Sequence, residues 1–474
     1  MSRRLINGIH SQSNEILGQI FLEHVEWAME DILHTTDGPW VLSHVCRSWK
    51  KITLAHPEVW SFIHVEEPES RTGPETIFLL NLALVRSQHQ PLDIKLGFAE
   101  RHYTALHMKI IRAVVAQSDR WKTADLQITN ALAPSFAPIR NRLSKLTKLK
   151  LTNFTDDSPE AFPYAMNAPC LTDIALNNYP HDIVALPWSS IRHFASDMTP
   201  FPDVVMGGVV LLEGGTVSID AETYVSLLRN NPQLESLDLT YPSPSPPTST
   251  LTHLSLRRLC GADGRLIRAL TLPNLEELII TLKDDTISAV RGLLARSKCS
   301  LRSLRLIDFT LSTDVLAILS QSASLQTLII IPPAWDTHAD SNMKRLVRTL
   351  AQPSFLPCLE DLEIQVHEDR DEREDLDAPV EPLRPQAVGF VDDALVEMLA
   401  ARWERRRTAE GRAYLQKVCV LIELPSTVGL SRTRGIGGLR KMSDEGLDVV
   451  INARDPRDLN RWGPGRIMSY VYNV

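Results

Sequence analysis

The sequence predicts an α/β chain in which a small N-terminal helical module precedes an irregular array with one strand and one helix per repeat. Two patterns carry that prediction. Two apolar stripes at helical spacing stand between residues 14 and 52, and an apolar comb of fixed spacing recurs through the middle of the chain. Length agrees with both. A chain of 474 residues exceeds one ordinary compact core, so it divides into several units or grows along one axis as a repeat array.

From the N-terminus, "NEILGQIFLEHVEW" (14–27) carries apolar residues at 16, 17, 20, 21 and 25, the stripe of an amphipathic helix. After a break around "TTDGPW", Val41, Leu42, Val45, Cys46, Trp49 and Ile52 form a second stripe at helical spacing, with Arg47, Lys50 and Lys51 outside it. "HPEVW" then turns the chain at Pro57 and sets Trp60 back onto the helix pair.

The comb reads apolar, two residues, apolar, one residue, apolar. It appears in "LTKLKL" (146–151), "LTDIAL" (171–176), "LESLDL" (234–239), "LTHLSL" (251–256), "LEELII" (275–280), "LRSLRL" (301–306), "LQTLII" (325–330) and "LEDLEI" (359–364), with weaker copies at "WKTADL" (121) and "LQKVCV" (415). Between 121 and 359 the starts step by 25, 25, 63, 17, 24, 26, 24 and 34 residues, and the long step leaves room for degenerate copies near "IRHFAS" and "GGTVSI". The last two comb positions lie two apart and so share one face of a short strand; the first anchors the turn into it. One such unit cannot bury its own apolar face, so neighbours must stack. Helical spacing fills the gaps in "AETYVSLLRNNP", with Tyr224, Leu227 and Leu228, in "DTISAVRGLLARS" and in "TDVLAILSQSAS". Asp285 with Thr286, and Thr313 with Asp314, suit the N-caps of the last two.

Two segments interrupt the array. "YPSPSPPTST" (241–250) cannot continue a helix or an inner strand and reads as a surface excursion, and "HEDRDEREDLDAPVEPLRP" (367–385) reads as a charged, proline-punctuated loop. Beyond it, "DDALVEMLAARWERRRTAEG" (392–411) predicts a helix whose Arg402 and Arg405–Arg407 belong to a solvated C-terminal face. The chain thus divides into a helical module (12–65), a connecting or first cap region (66–120), the repeat array (121–366), an acidic loop or linker (367–390) and a C-terminal repeat or cap region (391–474).

The comb and its steps resemble leucine-rich repeats across roughly 120–370, which implies a solenoid with its strands on the concave side. The usual asparagine after the comb is mostly absent: Leu151 is followed by Thr152 and Asn153, and Leu306 by Ile307 and Asp308. The N-terminal stripes resemble an F-box, whose pattern is roughly LPxEILxxIF, a spacer and LSxVCRxW. The tail "LAHPEVWSFIHV" is similar to the F-box-like proteins of mushroom-forming fungi. Gln12 and Ser13 stand where the family has Leu-Pro. By this resemblance Ile16, Leu17, Ile20, Phe21, Leu42, Val45 and Trp49 would contribute to a surface facing a Skp-type adaptor, and through it a cullin-RING ligase.

Chemistry of the chain's own is not signalled. The sequence holds no GxxxxGK[ST], GxGxxG, HExxH or GxSxG, and "GIGGLR" (435) neither follows a clear strand nor opens an apolar helix. The six cysteines lie 39 to 124 residues apart and form no CxxC pair, which fits buried structural thiols in a reducing compartment, with no metal or cofactor. His44 and His253 fall inside apolar patterns and read as packing histidines. A net charge of −8 supplies no field for nucleic acid, and no window reads as a membrane span or secretory signal.

The function implied is that of a non-enzymatic, intracellular adaptor, cytoplasmic or nuclear, in a Skp-cullin-F-box type ubiquitin ligase. The alternative is a leucine-rich-repeat scaffold with a decayed F-box. Residues between and just after the comb anchors face away from the core. That places Ile279, Arg305, Ile307, Ile329 and Ile331, with Asp238 and Glu363, on the surface expected to meet a target protein. A loop carrying Trp335 is the competing cover for this apolar patch.

Overall fold

The computed structural model describes residues 12–66, 74–98, 104–153, 159–198, 220–240, 245–282, 284–333, 335–352, 354–367, 388–391, 393–405, 415–423, 442–444, 446–454 and 470–473. Most of the acidic segment, "GIGGLR", Arg406 and Arg407 lie outside the described residues. The chain is an α/β protein of two compact units, residues 1–219 and 220–474.

The first unit opens with α1 (Asn14–Ala28), α2 (Gly38–Val45) and α3 (Arg47–Ala55). The Ser13 side chain caps α1 by accepting from the Ile16 N–H at 3.4 Å. The second stripe is two helices rather than one. Cys46 between them is extended, and its Sγ accepts from the Trp49 N–H at 3.5 Å, so the thiol caps α3 and breaks the stripe in its middle. Trp60 returns onto the helices as expected. It is fully buried, donates from Nε1 to the Thr53 carbonyl at 2.9 Å, and packs edge-on against Trp40 at 4.8 Å.

A ladder of six parallel strands follows: β1 (Phe62–Glu66), β2 (Leu92–Gly97), β3 (Trp121–Gln127), β4 (Lys148–Thr152), β5 (Asp173–Asn177) and β6 (His193–Asp197). Neighbours in the chain are neighbours in the sheet, in the register Ile63, Ile94, Ala124, Leu149, Ile174, Phe194. The ladder therefore starts ahead of residue 121, with Trp60, Ile63 and Val65 fully buried on the comb positions. Parallel neighbours need crossovers. The first two are α4 (Pro74–Arg86) and α5 (Ala105–Val115). The guanidinium of Arg86 at the end of α4 lies 4.4 Å from the Trp60 ring and 5.0 Å from Trp40, a cation–π clasp between the helical module and the ladder. From β3 to β6 the described crossovers hold only 3-10 turns, at Ala133–Ile139, His181–Ile183 and Trp188–Ser190, where a helix per repeat was expected. Pro134 and Pro138 explain the first, because proline removes a helical N–H.

The second unit repeats the plan. Its main sheet runs β7 (Ser236–Leu239), β9 (Arg258–Cys260), β11 (Glu277–Thr281), β12 (Ser303–Ile307), β13 (Thr327–Ile331), β14 (Asp361–His367), β15 (Lys417–Glu423) and β16 (Asp448–Arg454), all parallel, and β17 (Tyr470–Asn473) closes it antiparallel. β8 (Leu251–Thr252) and β10 (Leu270–Thr271) form a separate pair. Around these strands lie α6 (Ala221–Asn230), α7 (Gly264–Ala269), α8 (Asp284–Ser297), α9 (Thr313–Gln321), α10 (Thr337–Leu350) and α11 (Asp393–Arg405). Each crossover from β9 to β15 thus holds an α-helix. Leu278, Leu304, Leu306, Leu328 and Ile330 are fully buried, as the period-2 reading requires.

Several expectations are corrected here. The copy "LTHLSL" does not form the ladder strand: Leu254 is exposed, and the strand is three residues of the frame Leu256, Leu259, Gly261. Its last position is glycine because the backbone there is left-handed (φ +68°), and a Cβ would sit 1.5 Å from the Leu239 carbonyl oxygen. α8 begins at Asp284, ahead of the residues expected to cap it, and the cap of α9 is Ser312, which accepts from the Val315 N–H at 3.2 Å. His44 is exposed, whereas His253 is buried, its Nδ1 accepting from Leu256 and its Nε2 3.1 Å from the Asn231 carbonyl. The cysteines are free, and Cys170 is exposed while the other five are half-buried; Cys170 sits in the turn before β5, not in the strand.

The arginine cluster also reads differently. Arg402 is buried and donates to the carbonyls of Leu350, Phe355 and Leu356, so it closes the C-terminal end of α10 instead of facing solvent. The device recurs. Arg120 donates to the Ser87 and Gln90 carbonyls after α4, Arg142 to the Ala116 carbonyl after α5, and Arg296 to the Ile267, Arg268 and Leu270 carbonyls at the end of α7. In each case a later segment donates to carbonyls at or just beyond the C-terminal end of an earlier helix, where the helix itself supplies no partner. Among the described residues, no helix is long and apolar enough to cross a membrane, and no group of three or more His, Cys, Asp or Glu could hold a metal ion.

Candidate docking surfaces

The N-terminal helices divide their apolar residues between two environments. On α1, Leu17, Phe21 and Val25 recur every four residues and are buried, whereas Ile16 and Ile20, one position earlier, are each 48% exposed. Adjacent residues on a helix point 100° apart, and the contact that α1 makes here buries one set and leaves the other outside. On α2, Leu42 is buried and Val45 is 56% exposed. Trp49 on α3 is half-buried, its ring 4.7 Å from Phe21, and its Nε1 is screened from solvent without an acceptor. Of the residues named from the sequence, Leu17, Phe21 and Leu42 thus belong to the module's core, and Ile16, Ile20 and Val45 lie on its surface.

The exposed set is larger than the sequence reading named. Trp27 is 92% exposed, and Val41 and Leu54 are exposed as well. Trp27 follows Ile16 by eleven positions, three helical turns, and so shares its face of α1; that spacing was readable in the sequence. Solvent-facing tryptophan and isoleucine on one helix face are costly surface, because each buried large apolar side chain contributes about 1.5–3 kcal/mol. Clusters of this kind mark contact sites.

The outward faces of the two ladders differ in chemistry. In the first unit, β1 to β4 carry polar pairs on their outward faces: His64 Nε2 lies 2.8 Å from Asp93, Lys150 is 3.0 Å from Asp125, and Lys95 pairs with Glu66. Burial pushes the Asp93 carboxyl up, but its bonds from His64 and Thr123 outweigh that and hold it below the ordinary carboxylate value.

In the second unit the register lines up Asp238, Cys260, Ile279, Arg305, Ile329, Glu363 and Cys419 across successive strands. Thr281, Ile307 and Ile331 form the next row. Ile279, Arg305, Ile307 and Ile329 are half-buried, and Ile331 is buried. The ladder therefore brings the five sequence-named residues together on three neighbouring strands. Trp335 is buried with its ring 5.6 Å from Phe390, on the segment that α10 holds through the bond from the Phe390 N–H to Asp340 at 2.9 Å. Burial, with Asp238 beside it, pushes the Cys260 thiol up to about 12.

No protein-family model matches the chain, and no curated protein matches it in sequence.

Proposed function

We propose that the chain is a substrate-recognition adaptor of a Skp-cullin-F-box type ubiquitin ligase. In this reading residues 12–65 are an F-box-like module that docks to a Skp-type subunit, and the parallel ladders belong to a leucine-rich-repeat solenoid that binds the protein to be modified. The observation that carries it is the apolar surface of Ile16, Ile20, Trp27 and Val45 on a small helical module whose "SHVCRSW" segment resembles the F-box pattern. The sequential parallel order and the buried comb positions support the solenoid. The chain's part in the reaction is positioning: it holds a target where the ligase delivers ubiquitin, and forms no bond itself.

Binding of the full-length protein to a purified Skp-type adaptor tests the proposal. Changing Ile16, Ile20 and Val45 together to serine removes exposed side chains only, so the helices stay folded by circular dichroism. Adaptor affinity should fall by about 30-fold or more, since truncated interface anchors commonly cost about 2 kcal/mol. An adaptor that does not bind the unaltered protein at micromolar concentration sinks the proposal. A second reading, a leucine-rich-repeat scaffold with a decayed F-box, draws on Gln12 and Ser13. Ser13 serves as the helix cap where the family has proline, and Gln12 is exposed. That reading expects target binding without adaptor binding.

A further inference from the structure

The outward face of the second unit holds an arginine, Arg305, that makes no ion pair among the described residues. Arg305 is half-buried on β12 between Ile279 and Ile329, and Ile307 lies two residues along the same strand. Its Nε is screened from solvent and finds no acceptor among the described residues. Five other arginines of this unit are engaged: Arg257 and Arg258 pair with Glu276 and Glu277, Arg291 with Asp314, and Arg296 and Arg402 with carbonyls. The nearest carboxylate along its row is Glu363, two strands away, roughly 10 Å at the usual strand spacing. A guanidinium set among isoleucines has lost part of its hydration, so an anion brought to it is poorly screened and strongly attracted.

We propose that this face receives a short protein segment in which one Asp or Glu side chain is flanked by apolar side chains, with Arg305 as the anchor for the carboxylate and Ile279, Ile307 and Ile329 as the apolar seats. The proposal rests on the reading of the array as a target receptor, and names the target's chemistry. Charge decides for a carboxylate over a phosphate. One monovalent cation balances one carboxylate; a phosphate dianion would bring a second negative charge onto an apolar face whose next charged neighbour in the row is Glu363.

Selection from a random-peptide phage library on immobilised full-length protein tests this directly. The unaltered protein should enrich peptides with an acidic residue bordered by Leu, Ile, Val or Phe. The strongest peptide is then synthesised with glutamate, glutamine or phosphoserine at the acidic position. Glutamine should weaken binding by about 30-fold, the scale of leaving one partner of a desolvated charge pair unpaired, and Arg305→Ala should do the same. Ile307→Ser should weaken every peptide, whereas Arg305→Glu should shift selection toward basic peptides. If Arg305→Glu melts below the unaltered protein, Arg305→Gln carries the comparison. No enrichment, enrichment without acid, the same peptides on the Arg305→Glu protein, or tighter binding of the phosphoserine peptide would each overturn the proposal. Adaptor capture is measured on the same preparations. Acid-selective binding without adaptor capture removes the ligase reading and keeps the receptor face; adaptor capture without acid preference does the reverse.

Discussion

Replacing Arg402 by methionine should destabilise the second unit by about 3 kcal/mol. Arg402 donates from Nε to the Leu350 carbonyl at 2.6 Å, and from its terminal nitrogens to Leu356 at 3.2 Å and Phe355 at 2.5 Å. Methionine keeps most of the stem's volume and removes every donor. An orphaned buried acceptor costs about 1–3 kcal/mol, and carbonyls tolerate the loss better than N–H groups, so the lower half of that range applies to each. Relief of a desolvated guanidinium returns part of the loss, because a buried charge is itself expensive. For a unit of this size the net change corresponds to a fall in Tm of about 6–12 °C. Arg402→Lys should lie between, since an ammonium cannot span the three acceptors that the planar fork reaches. Urea and thermal unfolding of the three proteins, with helix content followed by circular dichroism, provide the measurement. A methionine variant as stable as the unaltered chain would refute the claim that these carbonyls depend on Arg402.

Two other perturbations follow from single positions. Gly261→Ala forces a Cβ onto the Leu239 carbonyl at a left-handed backbone, so it should cost about 3 kcal/mol or more and be read as loss of soluble, cooperatively melting protein. His253 is held below the ordinary histidine value first by burial, which its bond to the Asn231 carbonyl only partly offsets. The unfolded chain therefore takes up the proton before the folded one does. Its contribution is fully present above about pH 6.5, and is lost as the pH falls below that value toward the depressed folded one. Stability measured across this window should decline less steeply in His253→Gln; an identical slope would show that His253 is not the group responsible.

How much of this was legible in the sequence depends on what each residue's role rests on. The comb announced Leu304 and Leu306 because period 2 is a property of the strand itself, and their outward neighbours followed without further information. The copy at 251 misled because its true frame ends in Gly261, where the backbone, not an apolar side chain, fills the position. The break at Cys46 was hidden since a thiol is not an ordinary helix cap. Prolines 134 and 138 did carry their warning, but helical spacing elsewhere suggested a helix for every repeat. Arg402 was misread for a physical reason: its acceptors lie 46 to 52 residues away in the chain, so nothing local distinguishes it from a solvated arginine. In the helical module the stripe was visible, yet which half stays exposed is decided by packing. Ile16 and Leu17 are neighbours with the same chemistry and opposite fates.

The arginines that close earlier helices give the chain a direction. Arg120, Arg142, Arg296 and Arg402 each reach back, toward the N-terminus, to carbonyls already laid down. During synthesis a helix such as α5 leaves the ribosome with the Ala116 carbonyl waiting for Arg142, and completes only when that residue arrives. At these four positions a newly made segment completes an earlier one. The same asymmetry tells where a shorter piece should end: a fragment stopped just before one of these arginines leaves the helix that it closes frayed, while one begun just before it carries only a side chain that water can satisfy.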